Sequence, residues 1–401
     1  MNEINRVGES TYWIGVEDRK SALFERLWPM PMGVAYNSYL ILGSEKTALV
    51  DAVPDGAEGR FLDRIAHLLN GRQLDYLVIN HMEPDHSGSI PGVLERFPGV
   101  TLLGNKQTKR IMEGYQLSLD HFQMVSDGEE VSLGNITLRF VLTPWVHWPE
   151  TMMTYLVEEG ILFSGDAFGA FGAHDGALFD DEYNFEKVQG EMRRYYSNIV
   201  GKYGKFVQRA MKKLSGVAVK MICSTHGPIW RSHVDWVLKK YDMYSRQEGE
   251  PGVVMAVASM YGSTMQLGEY IARRLAVEGV KRIALHDVST SHMSYIVNDV
   301  WKYNGLVLGS VTYNMGLFPL MQALCDELLG LGVQNKELAL FGSGSWGGGS
   351  LALLERFAEK AQMKPVVESV EMIGRPSAEV YRKCDELAAG LAERVLAQRE
   401  N

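Results

Sequence analysis

Apolar positions run in two rhythms along the chain. Up to residue 250 they form short runs of strand character at 11–16, 37–42, 47–51, 101–103, 136–141, 152–157, 160–163 and 221–224, split by polar turns. One segment, 55–70, instead carries Phe61, Ile65, Leu68 and Leu69 at helical spacing and leads into the apolar run Leu74-Asp75-Tyr76-Leu77-Val78-Ile79. This mixture predicts a sandwich of sheets covered by helices. A polar stretch, Arg246-Gln247-Glu248-Gly249-Glu250-Pro251-Gly252, ends the pattern. Beyond it, strands at 253–258, 282–285, 305–309, 339–341 and 365–368 alternate with helices near 267–275, 292–300, 317–329, 350–361 and 376–398. Such alternation predicts a doubly wound parallel sheet. The expected fold class is therefore α/β, with one domain over 1–250 and a second over 251–401.

Composition narrows the function. A chain of 401 residues has room for two full cores, since single cores stop growing at about 250–300 residues. A net charge of −9 argues against a nucleic-acid surface. No apolar stretch approaches the roughly 20 residues of a membrane span. The start, Met1-Asn2-Glu3-Ile4-Asn5-Arg6, lacks the apolar core of a signal peptide, so the expected location is cytoplasmic, without a membrane partner. Cys223, Cys325 and Cys384 are isolated and form no CxxC pair, and we read them as buried small hydrophobes.

The run at 74–79 ends in Asn80-His81-Met82-Glu83-Pro84-Asp85-His86, and strand ends are where sites are built. Alternate residues of an extended segment share a face, so His81, Glu83 and Asp85 are expected on one side, with His86 turning in from the next position. Pro84 biases Glu83 toward extended geometry. Three further positions follow or end strand-like runs and are framed by Gly, Pro or Ser. They are His147 in Thr143-Pro144-Trp145-Val146-His147-Trp148-Pro149, Asp166 in Phe163-Ser164-Gly165-Asp166, and His226 in Ser224-Thr225-His226-Gly227. Four imidazoles and three carboxylates without a thiolate suit Fe or Zn better than Cu(I) or an iron–sulfur cluster.

In order and spacing these residues resemble the metal site of the metallo-β-lactamase superfamily, an HxHxDH loop followed by His, Asp and His, with Glu83 at the second His. Together with the flavodoxin-like second half, the whole chain resembles the flavodiiron proteins, in the class without a fused rubredoxin. That resemblance implies an N-terminal metallo-β-lactamase-like αββα sandwich followed by a C-terminal flavodoxin-like domain. It also implies a non-haem centre of two Fe ions, with His81, Glu83 and His147 on one, Asp85, His86 and His226 on the other, and Asp166 bridging. A bridge is needed because paired metals sit roughly 3.5–4 Å apart. The three carboxylates offset most of the charge of two divalent ions, which suits burial. A neutral His at position 83, as in hydrolytic relatives, would leave extra positive charge to activate water, so Glu83 favours redox use. Many members carry a His before the glycine where this chain has Met32-Gly33. Tyr195 and Tyr196 resemble a segment whose Tyr enters the diiron pocket, and on that ground are candidates for a catalytic role.

The turn after the first strand of the second half, Ser259-Met260-Tyr261-Gly262-Ser263-Thr264, is rich in hydroxyls and opens a helix, where backbone N–H groups attract phosphate. There is no GxGxxG, which counts against a dinucleotide. Two later strand ends, Ser310-Val311-Thr312-Tyr313-Asn314 and Ser343-Gly344-Ser345-Trp346-Gly347, fall at the carboxyl edge where ligands bind in this architecture. Trp346 offers a stacking face on a glycine-rich loop. All three resemble flavodoxin FMN loops and imply FMN.

The resemblance as a whole implies a terminal reductase that takes electrons through FMN and reduces O2 to water, or NO to N2O. It further implies a separate donor, such as rubredoxin or a rubredoxin reductase system, and a homo-oligomer, either a head-to-tail dimer or a dimer of dimers. Two other classes stay open: a two-zinc hydrolase with a flavodoxin-like accessory domain, and an FMN-only carrier or sensor. His67, His121, His233 and His292 lack metal-like companions, while His174, close after Asp166, is a candidate to support the site from behind.

Overall fold

A strand buried on both faces needs a layer on each side, and Thr47–Val50 is buried at every position. The computed structural model, which describes residues 6–397, sets that strand in a six-stranded sheet. Its order is Thr11–Trp13, Tyr39–Leu42, Thr47–Val50, Tyr76–Val78, Thr101–Gly104 and Phe122–Met124. One face packs Leu49, Leu77 and Leu102 against Phe61, Ile65 and Leu69 of helix Glu58–Leu69. The other turns Tyr39, Ile41, Val50, Val78 and Leu103 toward Leu138, Phe140, Met152, Phe163 and Cys223. Those residues belong to or border a second sheet, ordered Glu130–Ser132, Thr137–Leu142, Met152–Leu156, Ile161–Gly165 and Met221–Ser224. This is the sheet-on-sheet core of a metallo-β-lactamase-like domain. Tyr76–Val78 is parallel to both neighbours and Ile161–Gly165 to Met221–Ser224. A small hairpin, Leu23–Phe24 with Trp28–Pro29, stands apart from both sheets.

The chain divides into two compact units after Ser245. In the second, five parallel strands run in the order Ile283–Asp287, Glu250–Ala258, Tyr303–Tyr313, Glu337–Gly344, Val370–Ile373. That is the flavodoxin-like order, with its first strand flanked by the second and third. The last strand lies beyond the expected 365–368: Pro365 forms only an isolated bridge to Leu338, since proline has no N–H to extend a ladder, and pairing with Phe341 begins at Val370. Helices Met293–Lys302, Pro319–Gly330, Ser350–Lys360 and Ala378–Ala397 follow the expected pattern. All three cysteines are buried and free. Among the described residues no helix is long and apolar enough to cross a membrane; the first five residues of the polar start lie outside the described residues.

Candidate metal centre and cofactor loops

Past Val78 the chain leaves the sheet, and Asp51 catches it. The Asp51 Oδ1 accepts the N–H of Asn80 at 2.8 Å and of His81 at 3.3 Å. Glu83 is extended (φ −60, ψ 141), as expected before proline, but Pro84 then opens a single helical turn, Pro84–Ser87. The expected alternation therefore stops at Pro84. Asp85 and His86 leave the face of His81 and Glu83, and the donors separate into two groups, His81, Glu83, His147 and Asp166 in one and Asp85, His86 and His226 in the other.

Asp166 joins the groups. Its Oδ2 lies 3.0 Å from His147 Nε2 and 3.4 Å from His81 Nε2, and its Oδ1 lies 3.0 Å from His86 Nε2 and 3.5 Å from His226 Nε2. Glu83 Oε2 is 3.1 Å from His81 Nε2 and 3.2 Å from His147 Nε2, while Asp85 Oδ2 is 3.2 Å from His86 Nε2 and 3.4 Å from His226 Nε2. Several of these close pairs are not hydrogen bonds. Both carboxylate oxygens of Asp85, both ring nitrogens of His86 and Nε2 of His226 are buried without a hydrogen-bond partner. Buried polar atoms are almost always satisfied, so donor atoms that approach one another yet remain orphaned fit a set that converges on cations between them.

Electrostatics agrees. Burial opposes charge on His86 and His147, yet Asp85 and Asp166 push His86 up to about 9, and Asp166 and Glu83 push His147 up to about 9. Burial likewise opposes charge on His81, but Asp166, Glu150 and Glu83 hold it well above the ordinary range. The same histidines override burial to hold Asp166 well below the ordinary carboxylate range. The carboxylates thus favour positive charge at His81, His86 and His147, which bound cations would supply in place of protons.

The second group is braced by hydrogen bonds the sequence did not reveal. His226 Nδ1–H donates to Ala35 O at 2.9 Å, which leaves Nε2 to face Asp85 and Asp166. Asn37 Nδ2 donates to Ser224 O and Gly227 O, both at 2.9 Å, clamping the loop on either side of His226. Gly227 has φ +73, and a Cβ there would come 2.8 Å from that of Ala170. Trp13 Nε1–H donates to Asn37 Oδ1, so His174, 2.9 Å away through Nε2, must donate to the same oxygen. His174 therefore supports the site at one remove, through Asn37.

Of the paired tyrosines, only Tyr195 faces the cluster, its ring 5.3 Å from His226 and 5.1 Å from Phe171. Tyr196, one residue around the helix, packs on Tyr241 and Tyr244. Met32 lies beside Phe171, Tyr183 and Val188 in a small cavity that contains none of the seven donors. The hairpin reaches the site instead: Phe24 is edge-on to His226 at 5.3 Å, and partial desolvation together with Glu83 pushes the next residue, Glu25, up to about 8. Nothing in the sequence flagged Glu25. Glu150 was also passed over, although a carboxylate three positions after His147 in one loop was a usable signal; it is fully buried, with Oε1 2.7 Å from His81 Nδ1.

In the second unit, Tyr261 and Trp346 stand 93% and 90% exposed on separate loops. Met260, Gly262, Tyr313, Asn314 and Ser345 are also exposed, and Ser259, Ser263, Val311, Thr312 and Gly347 partly so. Thr264, Ser310, Ser343 and Gly344 are buried; Thr264 Oγ1 and Ser343 Oγ bond each other at 2.8 Å. Gly262 opens helix Ser263–Val277 at φ +93 with no side-chain cap, and neither it nor Gly347 has an atom within 4 Å of a Cβ position. Uncapped helix start, open glycines and two solvent-facing aromatics fit a phosphate-bearing planar ligand.

Residues 34–227 match the family described as ODP family beta lactamase, and residues 256–375 match Flavodoxin. A nitric oxide reductase of Moorella thermoacetica is 29% identical, over 98% of this chain and all of that protein. A rubredoxin-oxygen oxidoreductase of Megalodesulfovibrio gigas is 30% identical, over 99% of each. The solved rubredoxin oxygen:oxidoreductase of Desulfovibrio gigas superposes with a TM-score of 0.93 at 29% identity, covering 99% of both chains.

Proposed function

The chain belongs to the flavodiiron protein family and is an oxidoreductase, and from that premise we propose that it passes electrons through FMN to two iron ions and reduces O2 to water or NO to N2O. The observation that carries the reading is Asp166, whose two oxygens face different donor groups. His81, Glu83 and His147 would hold one ion and Asp85, His86 and His226 the other, with Asp166 shared. When bound, such a pair of ions supplies electrons and adjacent coordination positions for a diatomic molecule.

The chain's own residues do the rest. Asp166 sets the spacing, and Glu83 offsets positive charge where a hydrolase would keep it. Phe24, Phe171 and Tyr195 form an apolar wall beside His226, suited to small uncharged substrates. Burial and the nearby carboxylates hold the Tyr195 hydroxyl protonated, and it is buried without a hydrogen-bond partner, so its proposed catalytic role is to donate a hydrogen bond to substrate at that wall. Tyr261 and Trp346 would lie against the flavin, with the loops at 259–264, 310–314 and 343–347 around it, in a domain over 251–401 that follows a metal domain over 1–250. A separate rubredoxin-type donor, a head-to-tail homodimer and a cytoplasmic location complete the reading.

Anaerobically purified protein is expected to hold about two irons and one FMN per chain, as a paired-metal site and one flavin loop set require. Zinc without flavin would overturn the proposal.

A further inference from the structure

We propose that Glu150 positions His81 in the metal centre, fixing how tightly and at what potential the centre holds its ions. The proposal rests on His81 being a metal ligand. Glu150 is 0% exposed. Its Oε1 accepts the Met82 N–H at 2.9 Å and lies 2.7 Å from His81 Nδ1. An oxygen already accepting from a backbone amide is an acceptor for the imidazole too, so Nδ1 carries a proton, and with a cation bound it is Nε2, on the side of Glu83 and Asp166, that would present its lone pair to the cation. Glu150 thereby selects the tautomer that can bind a cation.

The Glu150 backbone is anchored as well. Asn105 caps helix Lys106–Gly114 through Oδ1, and its Nδ2–H donates to Glu150 O. Glu150 thus ties the loop after Tyr76–Val78 to the loop before Met152–Leu156 and to the end of Thr101–Gly104, joining both sheets at the ligand edge. The other oxygen, Oε2, is buried without a hydrogen-bond partner, so the side chain's hydrogen bonds all run through Oε1, to Met82 and His81. A ring made more basic by such a partner binds metal more tightly and favours its more oxidised state.

Glu150→Gln keeps the shape and an acceptor but removes the charge. Zinc affinity, measured by competition with a chelator, is expected to fall roughly 10- to 100-fold, as for other partners of metal-bound histidine, and Glu150→Asp is expected to restore part of it. The midpoint potential of the iron-loaded centre should move upward while the flavin's stays fixed. Unchanged zinc affinity and unchanged potential in the Gln variant overturn the proposal. Should the variant not fold, 15N NMR of the zinc-loaded wild type decides: a low-field, exchange-protected proton on His81 Nδ1, as a carboxylate acceptor produces, supports it, and an Nδ1 proton in fast exchange with water sinks it. Zinc binding needs no redox chemistry, so failure of the oxidoreductase reading would leave these zinc results interpretable.

Discussion

His174 shows how one buried side chain can carry a pH dependence. It is enclosed between Asn37 and Tyr183, and burial, with Arg19 nearby, lowers it from 6.5 to about 4. The unfolded chain takes up a proton below 6.5 that the folded protein refuses until about 4, so stability is complete above 6.5 and is lost as pH falls through that window. The advantage of wild type over His174→Gln in urea unfolding is expected to shrink by about 3 kcal/mol between pH 7 and pH 4; an advantage independent of pH would show that His174 takes up its proton as readily in the fold as in the unfolded chain. At this scale the sequence was most legible where chemistry is local. The loop from His81 to His86 declares itself because four donors crowd into six positions. Asn37 and Glu150 do not, because their work is defined by partners far along the chain: Ser224 and Gly227 for one, His81 for the other.

The least legible element is the hairpin Leu23–Phe24 and Trp28–Pro29, whose strands are two residues long, too short for any periodicity to register. Its turn puts both Glu25 and Arg26 at positive φ, without the Asn or Gly that usually marks such a turn. What holds it is Phe24, buried against Phe171, Tyr195 and His226. Phe24→Ala should cost about 3 kcal/mol, and the loss should stay local. Amide exchange over residues 22–30 is expected to quicken about a hundredfold while strand Thr47–Val50 is unaffected; equal acceleration in both would mean that the hairpin is part of the global core. The long strands were read with small errors, since Glu250–Ala258 and Tyr303–Tyr313 each contain an unbroken apolar run, at 253–258 and 305–309. The fifth strand was misplaced because Val366 and Val367 look like a strand, although pairing starts at Val370.

For the molecule as a whole, the rhythm of the sequence changes near residue 250, and the contacts divide the chain after Ser245. Each unit should answer to its own ligand. A ligand at a thousandfold excess over its Kd adds about 4 kcal/mol to the unit that binds it, so stripping metal anaerobically is expected to lower the melting transition of residues 6–245 and leave that of 246–397 in place. A common shift of both transitions in calorimetry would show that the two unfold as one. The order of the units along the chain has a consequence for biosynthesis. All seven proposed ligands lie between His81 and His226, and the second unit begins only at Arg246. Since domains tend to fold as they leave the ribosome, the metal pocket can close while most of the strands that would cradle flavin are still unmade. A newborn chain could then take up its metal before its flavin site exists.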